Sequence, residues 1–148
     1  MAKRGSIAKS LDWTERSGAA ITSIQSFDVM NEDENVETRL GDARVNSHFA
    51  GQINRALSVT ITDLDEITNL SVGDIVTSLV LTVAGTRDSG GTAANDFTYT
   101  MSRAVVESIG NVTKENGAFD PLTVQVTFRL SRAADAVADP TAVWAEVT

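Results

Sequence analysis

Few residues in this chain could do covalent or metal chemistry. His48 is the one histidine and there is no cysteine. A Ser-His-Asp triad would have to use His48, which lies in GDARVNSHFAGQINR (41–55) with no nucleophile motif beside it. A lone histidine in an irregular stretch reads as polar surface. Zinc sites built from histidine and cysteine are excluded by count. The one metal-like spacing is DLDEITNLSVGD (63–74), where Asp63, Asp65, Asn69, Ser71 and Asp74 fall at positions 1, 3, 7, 9 and 12 of a calcium loop. It fails where such a loop is strict: Ile67 takes a ligand position, Thr68 replaces the glycine, and position 12 is not Glu. SGGTAAND (89–96) has glycines but no lysine to reach a phosphate. The acids of NEDEN (31–35) read as a solvated face rather than a glycosidase pair. No catalytic residue, metal or cofactor is expected, and the chain does not read as an enzyme.

Chemistry would in any case need elements to position it, and those are mostly strands. PLTVQVTFRLSR (121–132) alternates almost without fault: Leu122, Val124, Val126, Phe128 and Leu130 share one parity, and Thr123, Gln125, Thr127, Arg129 and Ser131 the other. A period of two marks a strand with one buried and one wet face. ALSVTITD (56–63) repeats it through Leu57, Val59 and Ile61, and DIVTSLVLTVAGT (74–86) through Leu79, Leu81 and Val83. ITSIQSFDVM (21–30) and VETRL (36–40) are further strands, with NEDEN as an acidic turn between them. Residues 41–55 have no clean period and read as a long loop or a poorly formed strand. DFTYTMSRAVVESIG (96–110) is a strand pair or one bent strand. RDSGGTAAN (87–95) and NVTKENGAFD (111–120) are loops, and AADAVADP (133–140) is a linker. TAVWAEVT (141–148) is a short strand or an arm. Only LDEITNL (64–70) reads as a helix, capped by Asp63 with Glu66 three residues on. The class is all-β, a β-sandwich or barrel with one short flanking α-helix. We divide the chain into an arm (1–20), a sandwich domain (21–132) and a C-terminal linker with a short strand or arm (133–148).

The 148 residues carry 12 basic and 20 acidic side chains, a net charge of −8. Their distribution is uneven. Residues 1–16 balance to +2 through Lys3, Arg4, Lys9 and Arg16, and the remainder balances to −10. A positive arm on a negative body suits docking on a second copy of the same chain. A body of that sign argues against gripping DNA, which takes clustered Lys and Arg. The apolar runs are too short to span a membrane, and MAKRGSIAKSL lacks the apolar core of a secretory signal. Trp13 and Trp144 stand near opposite ends of the chain, where aromatics commonly anchor an arm on its own core or on a neighbour.

SVTITD, LDEITNL and DIVTSLVLTV run strand, helix, strand, and are followed by AVVESIGNV, TKENGAFD and PLTVQVTFRLS. In this order, over roughly residues 20–132, the chain resembles the tail tube proteins of long-tailed bacteriophages. The resemblance implies a virion protein, made in the host cytoplasm, that forms hexameric rings stacked into a hollow tail tube. Four strands per subunit would join those of neighbours into an inner barrel through which genome DNA passes without specific binding. The partners implied are the chain itself and other tail proteins. Related readings are a tail terminator, a distal tail protein, a type VI-like tube or a capsid-decorating protein. Further off stands a monomeric β-sandwich module binding glycans or proteins, which would need an aromatic platform that the sequence does not display.

On that reading the subunit interface falls in the poorly patterned segments: Arg4, Lys9 and Trp13 in the arm, and Arg44, His48 and Phe49 in residues 41–55. The lumen falls on the wet parity of the strongest strand, Thr123, Gln125 and Thr127, with Glu37 as an acidic addition. Deleting residues 1–16 is expected to abolish stacking and leave the sandwich folded.

Overall fold

The computed structural model describes residues 7–39, 41–42, 44–85, 95–110, 112, 122–134 and 138–147. Nine strands follow in chain order: β1 (Ala8–Asp12), β2 (Ile24–Asn31), β3 (Asn35–Thr38), β4 (Ser47–Ala50), β5 (Arg55–Ile61), β6 (Ile75–Val83), β7 (Phe97–Ile109), β8 (Val124–Leu130) and β9 (Ala142–Glu146). Seven of them form one antiparallel sheet in the order β1-β6-β7-β8-β5-β2, with β9 also on β7. β3 and β4 pair only with each other. The chain is all-β.

One sheet makes two layers because β7 belongs to both. Its first part, Phe97–Met101, pairs with β9, and its later part, Ala104–Ile109, pairs with β8. The handover occurs at Ser102, whose amide donates to Thr141 O and whose hydroxyl accepts from Thr141 N, both at 2.8 Å. The buried parity changes at the same level. Tyr99 and Met101 point inward before it, Ala104 and Val106 after it. On β6 the switch lies between Leu79 and Val76, across Ser78. Ser78 has φ +49°, a left-handed backbone that lets the paired strands turn over together. A β-branched residue tolerates that region poorly. Ser78→Val should therefore cost about 1–2 kcal/mol, read as a lower denaturation midpoint, and Ser78→Gly should not.

Between the layers lies a core of continuous rows. Val29, Leu57, Phe128 and Val106 stand opposite one another across β2-β5-β8-β7. Leu11, Leu81 and Tyr99 do the same across β1-β6-β7, and Trp144 of β9, half exposed, extends the row beyond the core. Trp13, 8% exposed, packs its ring on Phe128 with centroids 5.7 Å apart. The two ends of the sheet meet in a single bridge, with Leu11 and Ile21 exchanging both amide bonds at 2.9 and 2.8 Å.

Four expectations change. Residues 8–12 are an edge strand on β6 and not a free arm, because Leu11 is an inward residue of the first layer. The flanking helix is a single 3-10 turn, Leu64–Ile67. LDEITNL offers only about two turns, and burying Ile67 needs only one tight turn. Asp63 caps that turn through Asp65 N at 3.0 Å. Glu66 does not close a capping box; its carboxylate accepts from Thr22 N and Ser23 N. NEDEN is not a turn either. Glu32 N bonds to Asn54 O, and Glu34 with Gln52 and Gly51, so the β2–β5 ladder runs through it into β3–β4. The chain reverses later, past Thr38, where Gly41 adopts φ +56°. The bent-strand alternative for 96–110 and the strand alternative for the C-terminal segment are the ones observed.

Candidate functional site

Two surfaces are available for assembly. The first is the β3–β4 hairpin, in which β4 takes the strand alternative for residues 41–55. Asn35, Val36, Glu37 and Thr38 stand opposite Ala50, Phe49, His48 and Ser47. Every residue of β4 is exposed, and Phe49 (52%) and Val45 (81%) display large apolar side chains. A two-stranded hairpin with one strand wholly exposed is marginal in water, so apolar residues there are more useful against a neighbour.

The root of the hairpin is firmly held. Arg55 donates from Nη2 to Asp33 Oδ2 at 2.9 Å and from Nη1 to Ala142 O at 2.5 Å, tying the hairpin to β9. Asn54 N donates to Asp33 Oδ1 at 2.9 Å. The Arg55 guanidinium, aided by Asn54 N, holds the Asp33 carboxyl below its ordinary value. Thr77 does the same to Glu15 through its hydroxyl, and Lys9 to Asp96 through its ammonium. All three carboxylates have depressed folded-state pKa values. Their contribution is therefore complete above the ordinary carboxylate range and is lost as pH falls through the folded values. The melting temperature should fall progressively below about pH 4, and Asp33→Asn should flatten part of that fall.

The second surface is the open face of β2-β5-β8-β7. Asp28, Ser58, Thr127 and Ser108 form one row across all four strands, and Ser26, Thr60 and Gln125 the next. Ser58 is buried, and its hydroxyl accepts from Gln125 Nε2 at 2.7 Å. Thr127 Oγ1 lies 3.4 Å from the same oxygen. Ser58, Gln125 and Thr127 thus form a hydrogen-bonded cluster on a face otherwise made of short hydroxyl side chains and Asp28. Arg129, at its border, is paired with Glu107 at 2.8 Å and also contacts Asn54.

The expected residues distribute as follows. Thr123, Gln125 and Thr127 share the β8 segment, and the structure adds Ser26, Asp28, Ser58, Thr60 and Ser108 to them. Ser58 and Thr60 were legible as the wet parity of ALSVTITD; the contributions of β2 and β7 follow from strand order alone. Glu37 is elsewhere, on the hairpin opposite His48, and contacts Asn46. His48 and Phe49 are exposed on β4, and Arg44 is exposed in the bend before it. His48 Nδ1 lies 3.2 Å from Asn35 Nδ2. Lys9 is exposed and pairs with Asp96 at 2.8 Å. Trp13 is in the core, so its ring is not offered to a neighbour, because the chain's own Phe128 occupies its face. Arg4 lies outside the described residues. Asp63 and Asp74 of the calcium-like spacing cap local turns, Asp74 accepting from Ser71 N at 2.8 Å. Among the described residues no group of three His, Cys, Asp or Glu could hold a metal ion, and no helix is long and apolar enough to cross a membrane.

No protein-family model and no curated protein matches the sequence. Solved structures do match the fold. A chain of the PVC sheath–tube complex, an extracellular contractile injection system in its extended state, superposes with TM-score 0.58 at 14% identity, over 93% of this chain and 88% of that one. The fold is shared with contractile-injection-system components. A chain of the anti-feeding prophage cap, which terminates its tube, gives 0.57 at 12% identity over 93% and 87%. A chain of the six-fold symmetrised anti-feeding prophage baseplate gives 0.51 at 13% over 97% of both. At such identities the likeness is one of fold.

Proposed function

We propose that this chain is a structural subunit of a tail-like particle, forming hexameric rings that stack into a tube. The observation that carries the reading is the four-stranded layer β2-β5-β8-β7, with an apolar face on the core and a hydroxyl-paved face left open. A layer of that kind can join side by side with copies of itself, since β2 ends the strand order on one side. Curled into a ring, it presents the Asp28–Ser58–Thr127–Ser108 row to the lumen. A wall whose bordering Arg129 is paired with Glu107 offers a polyanion such as genome DNA little to bind, so the cargo slides. The hairpin, which prolongs the β2–β5 ladder, reaches the adjacent ring. The similarity to a sheath–tube complex supports this reading, and the six-fold symmetry of the baseplate neighbour supports the ring number. A second reading, a subunit that ends or joins the tube, is favoured by the nearly equal likeness to the tube-terminating cap. No enzymatic activity is proposed.

Electron microscopy of the concentrated protein at several salt levels tests both. Tubes support the first reading. Single six-fold rings that do not stack support the second. A strictly monomeric field would overturn both as self-assembling structures.

A further inference from the structure

We propose that the cleft between the 3-10 turn and the start of β6 receives the leading segment MAKRGSI of a second copy. The proposal rests on the tube reading in one respect, that copies stack. The cleft encloses about 310 Å³. Leu70 and Ile75 form its accessible apolar part over the buried Trp13 and Val76. Four carboxylates line it: Asp65, and Glu15, Glu66 and Asp74, which accept hydrogen bonds from Thr77, from Thr22 and Ser23, and from Ser71. One cation, Arg16, shares the lining. Its guanidinium is already engaged: Nη1 donates to Glu66 O at 2.5 Å, Nε donates to Ala19 O at 2.9 Å, and the group lies 5.5 Å from the Trp13 ring centroid. The cleft therefore suits a segment that is cationic and partly apolar.

The chain carries one such segment. Lys3 and Arg4 precede β1 with no acid before Asp12, and everything after residue 16 balances to −10. Ile7, 72% exposed, supplies an apolar side chain beside the cations. Position then decides that the contact is made between copies. Ile7 O accepts from Ala84 N at 2.7 Å, at one end of β6, and the cleft borders Val76 near the other. Those eight residues of strand span ~26 Å at ~3.3 Å each. Four residues of chain, the separation of Lys3 from Ile7, span at most ~14 Å when fully extended. The segment cannot fill its own cleft. Finger and cleft at opposite ends of one strand make a head-to-tail contact, the kind that generates open stacks instead of closed pairs.

The test uses the full chain and a synthetic MAKRGSI peptide followed by calorimetry. Binding is expected, weakening about tenfold from low to high salt and about tenfold in Asp65→Lys, since exposed charge pairs are screened within a Debye length. Asp65 is exposed, so this variant should melt like the wild type. In microscopy, Asp65→Lys and the double change Lys3→Glu/Arg4→Glu should each shorten stacks, and combining them should restore length. No peptide binding, or equal affinity in Asp65→Lys, overturns the proposal. If the wild type forms no stacks, the tube reading fails, and the peptide titration still decides the cleft separately.

Discussion

Deleting residues 1–16 should unfold the domain. The deletion removes β1 from β6, breaks the Leu11–Ile21 bridge that joins the ends of the sheet, and takes Leu11 and Trp13 out of the core. Losing one large buried side chain costs about 2–5 kcal/mol, against a total stability of about 5–15 kcal/mol for an ordinary domain. Two such losses plus an edge strand approach the whole. Thr14 N and the Glu15 carboxylate, which bond to Thr77 at the bend of β6, go with them. The expected result is an insoluble product or one without a cooperative thermal transition by circular dichroism. A truncated chain that melts within a few degrees of the wild type would mean that β1 contributes little. Charge alone suggests the opposite outcome, a folded domain that merely fails to stack, and the two expectations part in a single melt.

Phe49→Asp should leave the melt nearly unchanged and suppress assembly. Phe49 is half exposed on a strand whose residues all face solvent, so its removal opens no cavity and the melting temperature should move by no more than about 2 °C. On the proposed tube, the same ring is buried against the next copy. Replacing an aromatic anchor with a charge in a desolvated contact costs about 2–4 kcal/mol, enough to raise the concentration for tube formation at least about thirtyfold. Sedimentation and microscopy read this directly. Tubes forming at the wild-type concentration would take the hairpin out of the interface. Phe49→Leu, which keeps an apolar side chain there, should assemble close to normally.

His48 and Glu37 illustrate how the hairpin was only half legible. Their stretch lacks the inward apolar parity that marks a core strand, and it lacks it because neither face of β3–β4 is buried in the subunit. A strand ordered by pairing alone leaves no hydrophobic period in the sequence. NEDEN misled for a related reason: runs of acids usually solvate turns, yet here Asp33 and Glu34 spend their carboxylates on the facing strand at Asn54, Arg55 and Gln52.

By itself the sequence determined what is set locally. The alternations of 56–61, 79–83 and 124–130 specify strands and their inward faces, because a period of two is a property of the single strand. The wet parity of β8 was visible for the same reason, as was the poverty in reactive groups. Tertiary structure alone decided which strands lie side by side, and therefore that Asp28, Ser58, Thr127 and Ser108 form one row from four separate segments. It decided that Leu11 and Trp13 belong to the core, since five residues of β1 gain their identity as a strand only from β6. It also placed the acidic cleft and Ile7, which follows the basic leading residues, at opposite ends of β6. Pairing across long sequence separations is chosen by the packing of whole layers, and no single segment contains that information.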